Sequence, residues 1–252
     1  MLRIISIILA LLPLIAEGKT PERVVVLSPA ALRIMNDMGL IDKVVCTAEP
    51  YNKDIIKEEI KSVGFYHRPN IELIASCKPD LIITTYAGTP PETYKKLKNM
   101  GYELVLEKPK DMNSIISFID LLDKKFNTNS EKIKQKFRFI CENKKKKTFA
   151  ILVGLDPLFI AGKGSFVSDA VECAGATNVF AGEYTRTNIE TMILKKPDLI
   201  IIASKNPDMF KDTKKIKQYF KNIIVIDPED ILEPSTGILK GIDHLKVLFR
   251  SN

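Results

Sequence analysis

The sequence predicts an α/β protein of two similar lobes, each built on a parallel sheet, and three observations carry that prediction. The first is an internal repeat. Arg68-Pro69-Asn70-Ile71-Glu72, five further residues and Lys78-Pro79-Asp80-Leu81-Ile82-Ile83 return 118 residues later. The second copy reads Arg186-Thr187-Asn188-Ile189-Glu190, five residues, then Lys196-Pro197-Asp198-Leu199-Ile200-Ile201, identical at ten of sixteen positions without a gap. So long a period is not that of a solenoid, whose units run about 20–50 residues. It describes two lobes that share a helix, a turn and a buried strand, and two lobes leave a cleft for a ligand. The second observation is that β-branched apolar runs alternate with helical segments, the pattern of a parallel sheet. The third is a stretch from Asp111 to about Cys141 with no strand signal, which divides the halves.

In chain order, Arg23-Val24-Val25-Val26-Leu27 reads as a buried strand. Ser28-Pro29 pairs a cap with proline at the first helical position, opening a helix over 30–38 that Gly39 ends. A short strand over 44–47 follows, then loops at Pro50-Tyr51-Asn52 and at 64–70, where Asn70 caps a helix over 71–77. Next come a strand over 81–84, a loop over 86–90, a helix over 91–100 stopped by Gly101, and a strand over 103–106. Ile115, Ile116, Ile119 and Leu122 recur at helical spacing, and Ser130 caps a further helix towards Cys141, so the connector is helical. The second half has a strand over 149–153, a loop over 154–159 and Gly162-Lys163-Gly164-Ser165-Phe166 leading into a helix over 167–174. Val179-Phe180 reads as loop, 199–203 and 223–226 as strands, and 237–249 as a terminal helix. The resulting division is 1–18, 19–110 for the first lobe, 111–147 for the connector and 148–252 for the second lobe.

Residues 1–18 have the pattern of a secretory signal: Arg3 precedes a twelve-residue apolar run to Ile15, too short to span a bilayer comfortably. Ala16-Glu17-Gly18 offers small residues for cleavage before Lys19, and no cysteine at the junction offers a lipid attachment point, which predicts a periplasmic protein. Hydrophobic residues at 45% and charged residues at 27% fit a globular domain. The net charge is +7, but the densest run, Lys144-Lys145-Lys146-Lys147, lacks interleaved aromatics and reads as a solvated face, which argues against nucleic acid as a partner. Cys46, Cys77, Cys141 and Cys173 form no CxxC. An even count in an oxidising compartment permits disulfides, although Cys46, Cys77 and Cys173 stand in contexts that suit small buried residues.

The elements Arg23-Val24-Val25-Val26-Leu27-Ser28-Pro29-Ala30, Val63-Gly64 with Asn70-Ile71-Glu72, Lys78-Pro79-Asp80, Gly162-Lys163-Gly164-Ser165-Phe166, and Asn188-Ile189-Glu190 with Lys196-Pro197-Asp198 carry a resemblance. In order, spacing and duplication they resemble the class III periplasmic substrate-binding proteins of ABC importers, the group for vitamin B12, ferric siderophores and haem. The resemblance covers essentially the whole chain after residue 18. It implies two Rossmann-like lobes with parallel sheets joined by a long rigid connecting helix, monomeric, with a small-molecule cargo held between the lobes and handed to a membrane permease. It also implies docking of Glu72 and Glu190 on permease arginines, for which bidentate carboxylate–guanidinium pairs are suited. In the first helical turn the same residues also favour the helix dipole.

Loops after strand carboxyl ends supply the cargo site in open α/β sheets. Those loops offer Ser28, Pro29, Ala30, Tyr51, Phe65, Tyr66, His67, Tyr86 and Gly88 from the first lobe. They offer Leu158, Phe159, Lys163, Tyr184, Arg186, Glu233 and Ser235 from the second. The resemblance implies aromatic cleft residues at Tyr51, Phe65, Tyr66, Tyr86 and Phe159, hence a large, partly planar cargo gripped by ring faces. The chain has no tryptophan, and its tyrosine hydroxyls favour an iron chelate or haem over a corrinoid. Tyr66 and Tyr86 suit iron ligation, stacking or plain loop packing; Lys163 and Arg186 suit an anionic chelate. Two histidines, His67 and His244, are too few for bare zinc or manganese, for which three and a carboxylate are needed. No nucleophile elbow, Walker loop or dinucleotide fingerprint is present, which speaks against an enzyme. A stiff helical connector predicts only modest hinge motion.

Overall fold

The computed structural model describes residues 19–51, 54–56, 59–86, 88–141 and 147–251. The expected signal segment, Asn52 and residues 144–146 of the lysine run lie outside the described residues. The first lobe contains β1 (Val24–Val26), α1 (Pro29–Asp37), β2 (Val44–Glu49), β3 (Lys61–Phe65), β4 (Arg68–Pro69), α2 (Ile71–Ser76), β5 (Leu81–Thr85), α3 (Pro91–Asn99) and β6 (Leu104–Glu107). Its strands lie in the order β4-β3-β2-β1-β5-β6, parallel except for the short edge strand β4. The second lobe contains β7 (Lys147–Leu155), β8 (Leu158–Ala161), α6 (Phe166–Cys173), β9 (Ala176–Asn178), β10 (Tyr184–Arg186), α7 (Ile189–Lys195), β11 (Leu199–Ala203), α8 (Lys211–Tyr219), β12 (Ile223–Ile226), α9 (Pro228–Ile231) and α10 (Ile238–Ser251). Its order is β10-β8-β7-β11-β12, with β9 beside β7. β8 runs antiparallel to both β7 and β10, so this sheet is mixed where a parallel one was expected. The antiparallel part is a hairpin through Asp156-Pro157, within the stretch read from sequence as loop.

Period-two alternation divides the interior. Val24 and Val26, Leu81 and Ile83, Phe149 and Ile151, and Leu199 and Ile201 all point into one shared core. Their alternates face outward: Val25 and Ile82 into a satellite core under α2 and α3, Ala150, Ile200 and Ile202 into another under α7 and α8. This is the side-chain period of a strand, used here to bury both faces of each sheet. The connector enters the shared core through Ile115, Phe118, Ile119 and Leu122 of α4 (Met112–Phe126) and Phe137 of α5 (Glu131–Phe139). It is two helices rather than one, because Asn127 adopts a left-handed conformation (φ 52°) that ends α4. The junction is locked by Asp123, which accepts from Ser130 N and Oγ, Thr128 Oγ1 and the Lys134 ammonium, the last at 3.0 Å. Burial opposes ionisation of Asp123, but the Lys134 charge and these donors outweigh it and hold its carboxyl below the usual range.

The repeat is a structural module. Asn70 and Asn188 cap α2 and α7 with their side-chain oxygens. Lys78 and Lys196, which correspond under the 118-residue offset, both take positive φ (49° and 47°). Asp80 then accepts from Glu22 N and Arg23 N at the start of β1, and Asp198 from Thr148 N near the start of β7. Each copy thus ties its helix–strand unit to the neighbouring central strand. The cysteines are paired, Cys46 with Cys77 and Cys141 with Cys173, which replaces the reading of three of them as free buried residues. Tertiary proximity, invisible in the spacing, makes the pairs.

Candidate functional site: the inter-lobe cleft

Parallel strands deliver all their carboxyl ends to one side of a sheet. In the first lobe those ends are followed by Ser28-Pro29-Ala30 after β1, Pro50 after β2, Tyr66 after β3, and Gly88 after β5, while Thr85 and Glu107 close β5 and β6. All of them line one cavity of about 320 Å³, whose opposite wall is Pro228, Glu229, Leu232, Glu233 and Pro234, the segment that follows β12. A larger concavity of about 1020 Å³ lies elsewhere, among Lys19, Asp80, Glu103 and the connector residues Asp120, Lys124 and Lys125, away from every strand carboxyl end. The inter-lobe cavity is therefore the candidate site.

Its polar floor belongs to the first lobe. Glu107 is 3% exposed, and its Oε2 accepts the hydroxyl of Ser28, whose oxygen also caps α1 by accepting from Ala31 N at 3.1 Å. Burial, reinforced by the negative charge of Glu233 across the cleft and only partly offset by the Ser28 bond, pushes the Glu107 carboxyl up to about 7. Glu233 is tied down by Arg33 Nε at 2.8 Å and by the Ser235 hydroxyl at 2.8 Å. Arg33–Glu233 joins α1 to the second lobe, as does the bond from Thr236 Oγ1 to Asp37. The lobes are thus tied beside the cleft as well as fused through the shared core.

The structure brings together part of the site expected from sequence. Ser28, Pro29, Ala30, Tyr66, Gly88 and Glu233 line the cavity. The Tyr66 ring lies so close over Gly88 that a Cβ there would stand 2.0 Å from it, so the close approach requires glycine. Tyr51, Phe65, His67, Tyr86, Phe159, Lys163 and Arg186 are not among the lining residues. Tyr51 packs on the shared core instead. Phe65 stacks on His67 (centroids 5.7 Å apart), with Tyr66 edge-on to the same imidazole, in the turn between β3 and β4. Tyr86, at 73% exposure, stands beside the lining residue Thr85. Phe159 and Arg186 are direct partners across β8 and β10, and Lys163 is exposed just beyond β8. Glu72 and Glu190 are exposed in the first turns of α2 and α7. Sequence reading missed the strand-end group of Pro50, Thr85 and Glu107 and the 228–234 wall apart from Glu233. The rule of strand carboxyl ends, applied to β2, β5, β6 and β12 alike, would have found both.

No known protein-family profile matches the chain. Among curated proteins it is 25% identical over 219 residues to a vitamin B12-binding protein of Vibrio vulnificus, covering 81% of this chain and 79% of that protein. It is 28% identical over 203 residues to one from Vibrio cholerae (75% and 73% covered). Among solved structures, the periplasmic vitamin B12 binding protein of Vibrio cholerae superposes with a TM-score of 0.79 at 20% identity, over 92% of this chain and 97% of that one. The periplasmic haem binding protein of the same organism gives 0.76 at 16% identity (90% and 98%). In sequence the chain is thus similar to vitamin B12-binding proteins, and it shares the fold of the periplasmic binding proteins with which it superposes.

Proposed function

We propose that this chain is the periplasmic cargo-binding component of an ABC importer, holding an iron chelate, haem or corrinoid between its lobes and delivering it to a permease. The observation that carries the reading is the cavity at the meeting of five strand carboxyl ends of one lobe with the 228–234 segment of the other. A shared core and two inter-lobe ties support a largely preformed site with small hinge motion. Two disulfides fit an oxidising compartment, in line with a signal segment cleaved before Lys19; amino-terminal sequencing of the exported protein tests that cleavage. Glu72 and Glu190 serve as the permease contacts, and charge reversal at both abolishes uptake while leaving cargo binding intact. A permease-independent carrier would tolerate both reversals.

The corrinoid gains a specific argument over the iron complexes from the curated relatives, which are named as vitamin B12-binding proteins. Tyrosine fluorescence of the monomeric protein, free of tryptophan background, titrated with haemin, ferric siderophores and cyanocobalamin, tests the reading. Saturable quenching by one of them supports it and names the cargo; silence across the panel overturns it.

A further inference from the structure

We propose that Glu107, presented by Ser28 and faced by Glu233, is the specificity-determining group of the cleft: it selects a neutral or cationic cargo whose edge donates N–H hydrogen bonds, and excludes one that presents carboxylates there. The inference rests on the cargo-binding reading above and names the chemical class of its ligand.

Three features of the cavity point the same way. It contains Glu107, Glu229 and Glu233, and no described lysine, arginine or histidine lines it. Its remaining surface is largely apolar, from Pro29, Ala30, Leu232 and Pro234. The two cations expected from sequence to meet an anionic chelate, Lys163 and Arg186, are exposed in the β8–β10 region and do not line it. An anionic group placed against Glu107 would meet like charge from it and from Glu233, with no cation among the described lining residues.

Glu107 is not positioned as a structural ion-pair residue. Glu229 is bound to Lys205 and Glu233 to Arg33, whereas Glu107 has no cation partner among the described residues and one hydroxyl donor. A buried acid with unused acceptor capacity at the floor of a cleft is disfavoured in the empty protein. It becomes favourable when a bound donor takes the place of water. Discrimination of this kind comes from the buried polar group left unpaired, or opposed, by the wrong ligand. Carboxamides on a macrocycle edge are such donors; free propionates are their anionic counterpart.

A proton linkage follows. A donor ligand needs the ionised carboxylate, while the empty site keeps it partly protonated near neutrality because burial pushes the carboxyl up to about 7. Binding therefore releases a proton, and affinity falls by roughly tenfold between pH 8 and pH 6. The other ionisable groups facing Glu107 are Glu233 with its partner Arg33, Glu229 with Lys205, and Tyr66.

The test is calorimetric titration of the purified protein with three probes at pH 6 and pH 8. They are cyanocobalamin, cobyrinic acid (the same corrin ring with carboxylates in place of amides and without the nucleotide arm) and haemin, with dicyanocobinamide, which keeps the amides but lacks the nucleotide, as the control for that arm. The expected result is cyanocobalamin bound at least tenfold more tightly than either acid, with proton uptake by buffer at pH 6. Glu107→Gln is expected to remove the pH dependence and narrow the gap between amide and acid; Ser28→Ala, which deletes one hydroxyl, shifts the pH midpoint without abolishing binding. Haemin or cobyrinic acid bound as tightly as cyanocobalamin overturns the inference and leaves the cargo-binding reading standing. So does a cyanocobalamin affinity indifferent to pH and to Glu107→Gln. Failure of all three probes and of the siderophores of the wider panel overturns the cargo-binding reading itself.

Discussion

In the first lobe the strand after the repeated helix, β5, sits between parallel neighbours, and parallel pairing continues outward through β1, β2 and β3. In the second lobe the equivalent strand, β11, also lies between parallel neighbours, but beyond β7 the sheet turns antiparallel through β8 and β10. The difference decides where chemistry can be placed. Parallel strands send every carboxyl end to one side, so the first lobe offers Ser28, Pro50, Tyr66, Thr85 and Glu107 to the cleft at once. The antiparallel strand β8 points its carboxyl end the other way, and the second lobe reaches the cavity through the segment after β12. One module, repeated, supports two lobes of which the first supplies most of the cavity's lining and the second its opposite wall.

The sharpest way to break the comparison is to strike the module at the same place in each lobe. Ile74 and Met192 correspond under the 118-residue offset, and both are fully buried, in the first and second satellite cores. Ile74→Ala and Met192→Ala should each cost about 2–5 kcal/mol in chemical denaturation. Because the shared core joins the lobes, each variant should still unfold in one transition. Two resolved transitions would mean that the lobes are independent after all. The disulfides give the next comparison. They close loops of similar separation, 31 and 32 residues, one within the first lobe and one tying the connector to α6. Replacing either pair by alanine should remove about 3–4 kcal/mol. Markedly unequal losses would show that one lobe retains structure when its staple is gone.

Glu107 sets the first lobe apart by its buried, raised carboxyl. Its raised carboxyl means that the folded state binds the proton more tightly than the unfolded chain does. The resulting penalty is absent below about pH 4.5, grows as the pH rises and is complete above about pH 7. Glu107→Gln should therefore raise the stability of the empty protein at pH 8 by up to about 3 kcal/mol and change it little at pH 4.5. A thermal melt series across that range checks it, and an equal gain at both ends would rule out ionisation as the source. At the connector the sign is opposite. Asp123 is held below its usual range, so its contribution is present above about pH 4 and fades as acid protonates it.

What the sequence displayed of this architecture follows from where particular residues are obligatory. Asn70 and Asn188 as caps, and Asp80 and Asp198 as acceptors for the neighbouring strand, are required by backbone geometry, so the module was legible twice. β10 was not legible, since Tyr184, Thr185 and Arg186 are all exposed and leave no alternation to read. β3 shows a single buried residue, Val63, for the same effect. The cleft was half legible. Loop aromatics drew attention to Phe65, Tyr86 and Phe159, whereas a glutamate followed by Lys108-Pro109 looks like ordinary surface until β6 is seen to end in the cavity. The disulfide partners depended on tertiary proximity that no spacing encodes.

The smallest expected effects separate folding from coupling within the module itself. Asn70 accepts from Glu72 N at 2.9 Å and Leu73 N at 3.0 Å, whereas Asn188 accepts from Thr191 N at 2.8 Å. Asn70→Ala and Asn188→Ala should each cost about 1 kcal/mol, the former slightly more because two amides lose their acceptor. Neither should alter uptake beyond what the stability loss explains, since the capping oxygens are satisfied within the chain. Glu72→Gln and Glu190→Gln stand two residues beyond those caps and should do the reverse. Stability should move by a few tenths of a kcal/mol, because an exposed first-turn carboxylate contributes little through the helix dipole, while delivery to the permease falls. If the cap variants and the glutamate variants reduce uptake in proportion to their melting temperatures, the repeated glutamates serve the helix alone, and the module is a folding unit without a docking role.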